Sequence, residues 1–180
     1  MKRAIFLLTT MALALVVASG AALAANLNGT DRADTLVGTP KGDSIKGFGG
    51  GDTLRGKGNA DTLRGYTGSD TIYGGRGPDA LYGGRGADTM RGGAGNDDLY
   101  GGAGNDTIYG GKGGDTTSGE AGSDDLYGGP GHDRIISGTG SDHRVFAGDG
   151  EQDLICVDPN SNGTIVTEDP QDTFIFNSSC

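Results

Sequence analysis

An Asp recurs every nine residues in this chain, and that spacing constrains the fold more than anything else in it. Asp34, Asp43, Asp52, Asp61, Asp70, Asp79, Asp88, Asp97, Asp106, Asp115, Asp124, Asp133 and Asp142 share one phase. This is an internal repeat, and a repeat of this period points to a solenoid. The units run from Gly29 to Val145. Position one is Gly in all but Ser137, position four is Gly in ten, and position eight is apolar except at Thr117 and Arg144. The first six residues are turn material, since Gly tolerates positive φ and Asp tolerates turns. The last three, such as Thr71-Ile72-Tyr73, predict a short strand with position eight on one face. One unit cannot bury its single Ile or Leu, but stacked units can. The pattern predicts two units per coil and six or seven coils, a stack of about 30 Å at about 4.8 Å per coil.

Turns then alternate between two sides. Asp70, Asp88, Asp106 and Asp124 fall on one edge, and Asp79, Asp97, Asp115 and Asp133 on the other. Carboxylates about 5 Å apart repel by roughly 1–3 kcal/mol per pair at effective dielectrics of 80 to 20. A divalent cation between successive turns reverses that sign. The oxygens at hand, carboxylates and Gly-rich turn carbonyls, suit Ca²⁺ better than Zn²⁺ or Mg²⁺.

Six units, starting at Gly74, Gly83, Gly92, Gly101, Gly110 and Gly128, match G-G-x-G-x-D in full. The stretch Gly29–Val145 resembles the haemolysin-type, or repeats-in-toxin, calcium-binding family. The resemblance implies an all-β fold: a right-handed parallel β-roll, or β-solenoid, holding several Ca²⁺ ions between same-side turns. It implies as ligands the position-six carboxylates Asp70, Asp79, Asp88, Asp97, Asp106, Asp115, Asp124 and Asp133. The turn carbonyls are expected around Gly75, Gly77, Gly84, Gly86, Gly93, Gly95, Gly102, Gly104, Gly111 and Gly113. Asp52, Asp61, Asp142 and Asp153 are expected as weaker ligands.

Four segments follow from this reading. Residues 1–24 read as a secretory signal peptide, with Lys2-Arg3, an apolar run and Ala22-Leu23-Ala24 as a cleavage site. Cleavage removes two positive charges and takes the formal charge from −10 to −12. Residues 25–64 are degenerate repeats, with Thr30, Thr39, Phe48 and Lys57 at position two and Arg32, Lys41 and Asn59 at position four. They are expected to bind Ca²⁺ weakly or not at all and to cap the N-terminal end. Residues 65–145 are the calcium-binding roll. The roll is expected to end near His143-Arg144-Val145, because a buried Arg144 would be costly. Residues 146–180 are expected to form a C-terminal cap with strand-like Ile165-Val166 and Thr173–Phe176. Cys156 and Cys180, the two cysteines, are expected to tie that cap as a disulfide.

With 38 Gly, no Trp and few large apolar residues outside position eight, the chain cannot build a conventional core. Folding is therefore expected to need the cation. Position-nine side chains are expected to form two ladders: Arg55, Tyr73, Arg91, Tyr109 and Tyr127, and Arg64, Tyr82, Tyr100, Ser118 and Ile136. The acidic balance argues against nucleic acid. No segment after the leader is long and apolar enough to span a membrane. His132 and His143 are the two histidines, and neither H-E-x-x-H nor G-x-S-x-G occurs, so no enzyme is expected. The expected role is a secreted, non-catalytic calcium-binding protein with a structural, matrix or surface function. The alternative is a Ca²⁺-dependent module binding acidic polysaccharide, like the roll modules that accompany alginate epimerases. Arg55, Arg64, Arg76, Arg85 and Arg91 would supply the strip for it.

Overall fold

A computed structural model describes residues 23–140, 143–147, 150–159, 163–166 and 170–176. It is a parallel β-solenoid, with no helix among the described residues. The odd strands are β1 (Asn26–Asn28), β3 (Ser44–Gly49), β5 (Thr62–Thr67), β7 (Ala80–Arg85), β9 (Asp98–Ala103), β11 (Thr116–Ala121), β13 (Arg134–Ile136), β15 (Leu154–Val157) and β17 (Thr173–Phe176). They pair in that order into a nine-stranded sheet. The even strands are β2 (Thr35–Val37), β4 (Thr53–Gly58), β6 (Thr71–Arg76), β8 (Thr89–Ala94), β10 (Thr107–Lys112), β12 (Asp125–Tyr127), β14 (Arg144–Phe146) and β16 (Thr164–Val166), and they form an eight-stranded sheet. Through the repeats the register is 18 residues, as in Ile72↔Met90 and Leu81↔Leu99, so each coil holds two units.

Position eight supplies the core. Ile45, Leu54, Leu63, Ile72, Leu81, Met90, Leu99, Ile108, Leu126 and Ile135 are all fully buried, one per strand and one file per sheet. Full burial of such a side chain stabilises by roughly 1.5–3 kcal/mol. Each strand from β4 to β10 buries a single large apolar side chain, so the core exists only as a stack. Thr117 interrupts its file as a fully buried polar residue.

The structure departs from the sequence reading in three places. The strands of the central coils are six residues long rather than three, because positions one to three stay paired with the neighbouring coil, as in Gly75↔Gly93 and Arg76↔Ala94. The turn shrinks to positions four to six. The stack is also longer than predicted, at about eight coils, because it does not stop at residue 145. The repeat phase slips by one residue just before His143. Val145, not Arg144, then meets Leu126 and is buried, while Arg144 faces solvent and pairs with Asp125 through Nε at 2.6 Å and a second guanidinium nitrogen. The slip removes the burial of Arg144 that would have ended the roll.

The described strands beyond residue 146 likewise continue the two sheets. β15 pairs with β13, β16 with β14 and β17 with β15, all parallel. Phe174, Ile175 and Phe176 lie on the last strand and are exposed. Of the cysteine pair, Cys156 is buried and Cys180 lies outside the described residues. No disulfide is found among the described residues. Residues 1–22 also lie outside them, so the expected leader has no structural description. No helix among the described residues is long and apolar enough to cross a membrane.

Candidate metal centre

The position-six carboxylates do not line the surface; they lie beneath the turns. Asp52, Asp61, Asp70, Asp79, Asp88, Asp97, Asp106, Asp115, Asp124 and Asp133 are each at most 3% exposed. One oxygen of each is fixed by the neighbouring coil. From Asp34 to Asp115 the backbone N–H of each position-six Asp donates to Oδ1 of the Asp 18 residues on, as in Asp52 to Asp70, Asp70 to Asp88 and Asp88 to Asp106 at 2.7–2.8 Å. The other edge repeats the pattern from Asp61 through Asp79, Asp97 and Asp115 to Asp133, at 2.8–2.9 Å. These charge-assisted bonds tie coil to coil. Sequence spacing shows the rows but not this bond.

The second oxygen is different. Oδ2 of Asp52, Asp61, Asp70, Asp79, Asp88, Asp97, Asp106 and Asp115 is buried with no hydrogen-bond partner among the described residues. Burial is the main reason these groups hold protons tightly. It pushes Asp79 and Asp88 up to about 7, and Asp61, Asp106 and Asp115 up to about 6. Asp52, Asp70 and Asp97 shift the same way. The N–H bond to Oδ1 opposes the shift, and for most of them neighbouring Asp charge adds to it. A row of buried carboxylate oxygens without donors calls for protons or cations.

The glycines explain why these oxygens can sit so deep. At position one the constraint is space. A Cβ on Gly92 would lie 2.5 Å from Asp97 Oδ2 and 2.6 Å from the Gly110 carbonyl. At position four both space and conformation exclude a side chain: Gly77 has φ +101°, and a Cβ there would meet Asn59 backbone at 2.8 Å. The position-four carbonyls of Gly77, Gly86 and Gly95 point along the stack at the equivalent glycine of the next coil, and no backbone donor among the described residues reaches them. The position-four carbonyls of the expected set form files parallel to the carboxylate rows, whereas the position-two glycines Gly75, Gly84, Gly93, Gly102 and Gly111 lie within strands rather than in the turns. Among the described residues no three His, Cys, Asp or Glu side chains converge on one point. A cation here needs these backbone oxygens.

The first two units are closed. Thr30 donates to Asp34 Oδ2 through both N–H and Oγ1, at 2.6 and 2.8 Å. Thr39 does the same to the two oxygens of Asp43, at 2.5 and 3.1 Å. The change of environment comes between Asp43 and Asp52, so the units of Asp52 and Asp61 resemble those of the central stack. At the other end, His143 takes the slot expected for Asp142, which lies outside the described residues. His143 is buried with Nδ1 3.4 Å from Asp124 Oδ2. Burial raises Asp124 to about 6. Asp153 keeps its slot, with Oδ1 accepting from the Asp133 N–H at 2.8 Å. Asp172, missed in the sequence, adds one more slot by accepting from the Asp153 N–H at 3.1 Å. Its Asp-Thr-Phe spacing copies the repeat off phase.

The side-chain ladders form as expected. Arg55 lies 4.4 Å over Tyr73, Arg64 4.7 Å over Tyr82 and Arg91 4.4 Å over Tyr109. Tyr82–Tyr100, Tyr109–Tyr127 and Tyr127–Phe146 stack at 5.3, 4.6 and 4.5 Å. These contacts divide the five arginines: Arg55, Arg76 and Arg91 lie on the eight-stranded sheet, and Arg64 and Arg85 on the other. The single cationic strip expected for an acidic polysaccharide does not form.

A family profile of the RTX calcium-binding nonapeptide repeat matches residues 28–63, 47–81, 55–90, 82–117 and 109–143. The chain belongs to this RTX repeat family. Calcium is the ion such repeats bind, and the buried carboxylate rows and carbonyl files lie inside the matched span. Comparison with curated proteins returns no match.

Proposed function

We propose that this RTX protein is an exported, non-catalytic calcium-binding protein whose roll folds as it binds several Ca²⁺ ions. The buried Oδ2 atoms without hydrogen-bond partners, from Asp52 to Asp115, carry this reading. Those carboxylates and the position-four carbonyls, Gly77, Gly86, Gly95 and their equivalents, would hold the ions. Bound calcium supplies the positive charge that the turn interiors lack and lets each carboxylate stay ionised while buried. The donor set is all hard oxygen and partly backbone, which fits Ca²⁺. The Thr-capped Asp34 and Asp43 take no part, because their oxygens already have donors. Because the unfolded chain has no preformed site, binding energy becomes folding energy.

Equilibrium dialysis against ⁴⁵Ca²⁺ tests the ion count. Several ions per chain, not displaced by excess Mg²⁺, are expected; no retention above a chelated control would contradict the proposal.

A further inference from the structure

The outer face of the nine-stranded sheet has a row at position two that reads Phe48, Tyr66, Gly84, Gly102, Glu120, in register from coil to coil. All five have positive φ: +77°, +77°, +117°, +107° and +67°. Glycine adopts this conformation without strain, and a residue with a side chain does not. Three residues of the row nevertheless carry side chains, and those side chains do not build the core. Phe48 and Tyr66 are each 39% exposed, and Glu120 is exposed. Strained, exposed side chains around a cleft point to function rather than folding.

The cleft is present. Phe48 and Tyr66 stack at 5.4 Å with planes 10° apart, so the other face of Tyr66 turns to the next coil. There Gly84 and Gly102 leave two rungs without side chains, so Tyr66 and Glu120 stand three steps apart, roughly 14 Å at about 4.8 Å per rung. Glu120 stands at the far end. The space is a trough of about 640 Å³, floored by Gly84 and Gly102 and walled by the Tyr82–Tyr100 stack on one side and by Arg85 and Ala103 on the other; Tyr66 is outside this lining, one rung before Gly84 on the same row. Arg85 is exposed and makes no ion pair among the described residues.

We propose that this trough binds a neutral saccharide, with one pyranose ring stacked on the open face of Tyr66 as the next rung of the Phe48–Tyr66 ladder. A pyranose has a C–H face for the ring of Tyr66 and a rim of hydroxyls. The Glu120 carboxylate accepts from those hydroxyls, and the Arg85 guanidinium donates to them. A flat aromatic ligand would use the stacking surface alone. One cation and one anion bracket the trough, and the whole chain carries −10, so a polyanion is disfavoured. The inference goes beyond calcium binding and rests on it only in that the roll must be folded.

The test titrates neutral hexamers of β-1,4-glucan, α-mannan and β-1,4-xylan, and a hexuronate hexamer, into the calcium-loaded protein by calorimetry. At least one neutral hexamer is expected to bind saturably and more tightly than the hexuronate. Tyr66→Gly removes both ring and strain. It is expected to fold with calcium at least as well as the parent and to bind the hexamer at least tenfold more weakly. Lys57→Gly, which relieves the same strain on the opposite sheet, is expected to leave binding unchanged. The proposal is overturned by no neutral hexamer binding, by preference for the hexuronate, or by Tyr66→Gly binding like the parent. Circular dichroism on the same samples separates the two readings. An intact calcium response without saccharide binding overturns the trough alone.

Discussion

Position six does two jobs with the two oxygens of one side chain. Oδ1 accepts the N–H of the preceding coil, and Oδ2 is left buried without a hydrogen-bond partner among the described residues, which on the proposed reading leaves it for an ion. Asp88→Asn separates them. The amide oxygen can still accept the Asp70 N–H, while the charge is lost. Calcium affinity is expected to fall about tenfold or more, read by calcium titration. Stability in chelator is expected to rise, because a buried charge pushed up to about 7 has gone. A variant weaker in both respects would mean that the carboxylate is a structural turn residue. Thr117 is the second informative position. Its Oγ1 is buried at a core rung with no partner among the described residues. Thr117→Val keeps the shape and removes the polar atom, and is expected to stabilise the calcium-loaded protein by about 1 kcal/mol in thermal unfolding.

At the scale of the single coil, the structure explains the glycines better than turn propensity does. Gly86 has φ +135°, and a Cβ there would press on the Gly68 carbonyl, which belongs to the adjacent coil. Gly86→Ala is expected to destabilise the calcium-loaded roll by more than about 2 kcal/mol, counting 1–2 kcal/mol for the left-handed conformation and the rest for separation of the coils. Denaturant unfolding checks this; a loss below about 0.5 kcal/mol would show that the coils are not in such close contact. The coil is also where the sequence was most and least legible. The nine-residue phase yields the two sheets, the core file from Ile45 to Ile135 and both side-chain ladders, because each depends on spacing alone. It does not yield the coil-to-coil N–H bond or the long strands, which depend on how neighbouring turns approach. It misplaces Arg144 because a one-residue slip before His143 leaves no mark in composition. It misses Asp172 because that carboxylate is off phase, though its slot in the stack is the same.

Over the whole molecule the buried carboxylates set the conditions under which the roll exists. Asp61, Asp79, Asp88, Asp106 and Asp115 have folded-state values near 6 to 7, above the ordinary 3.8. The folded metal-free chain thus binds protons more tightly than the unfolded chain. Their contribution to stability is fully present below about pH 4 and is lost as pH rises through 6 to 7. In chelator the protein is expected to hold more β-structure at pH 4 than at pH 7.5. A chelated chain that is more ordered at pH 7.5 would contradict the raised values. On the proposed reading, calcium replaces the missing protons at neutral pH. Sequence composition alone, with 38 Gly and a formal charge of −10, reads as disorder, and the nine-residue period, read as rows of cation ligands, is what resolves that conflict in the proposed account. The most direct test follows far-UV circular dichroism of the metal-stripped protein at pH 7.5 while Ca²⁺ is added, with Mg²⁺ as control. A cooperative coil-to-β transition with Ca²⁺ alone is the predicted result. A chain already β-rich in chelator and unchanged by Ca²⁺ would contradict the account, because its buried carboxylates would then be stable without an ion.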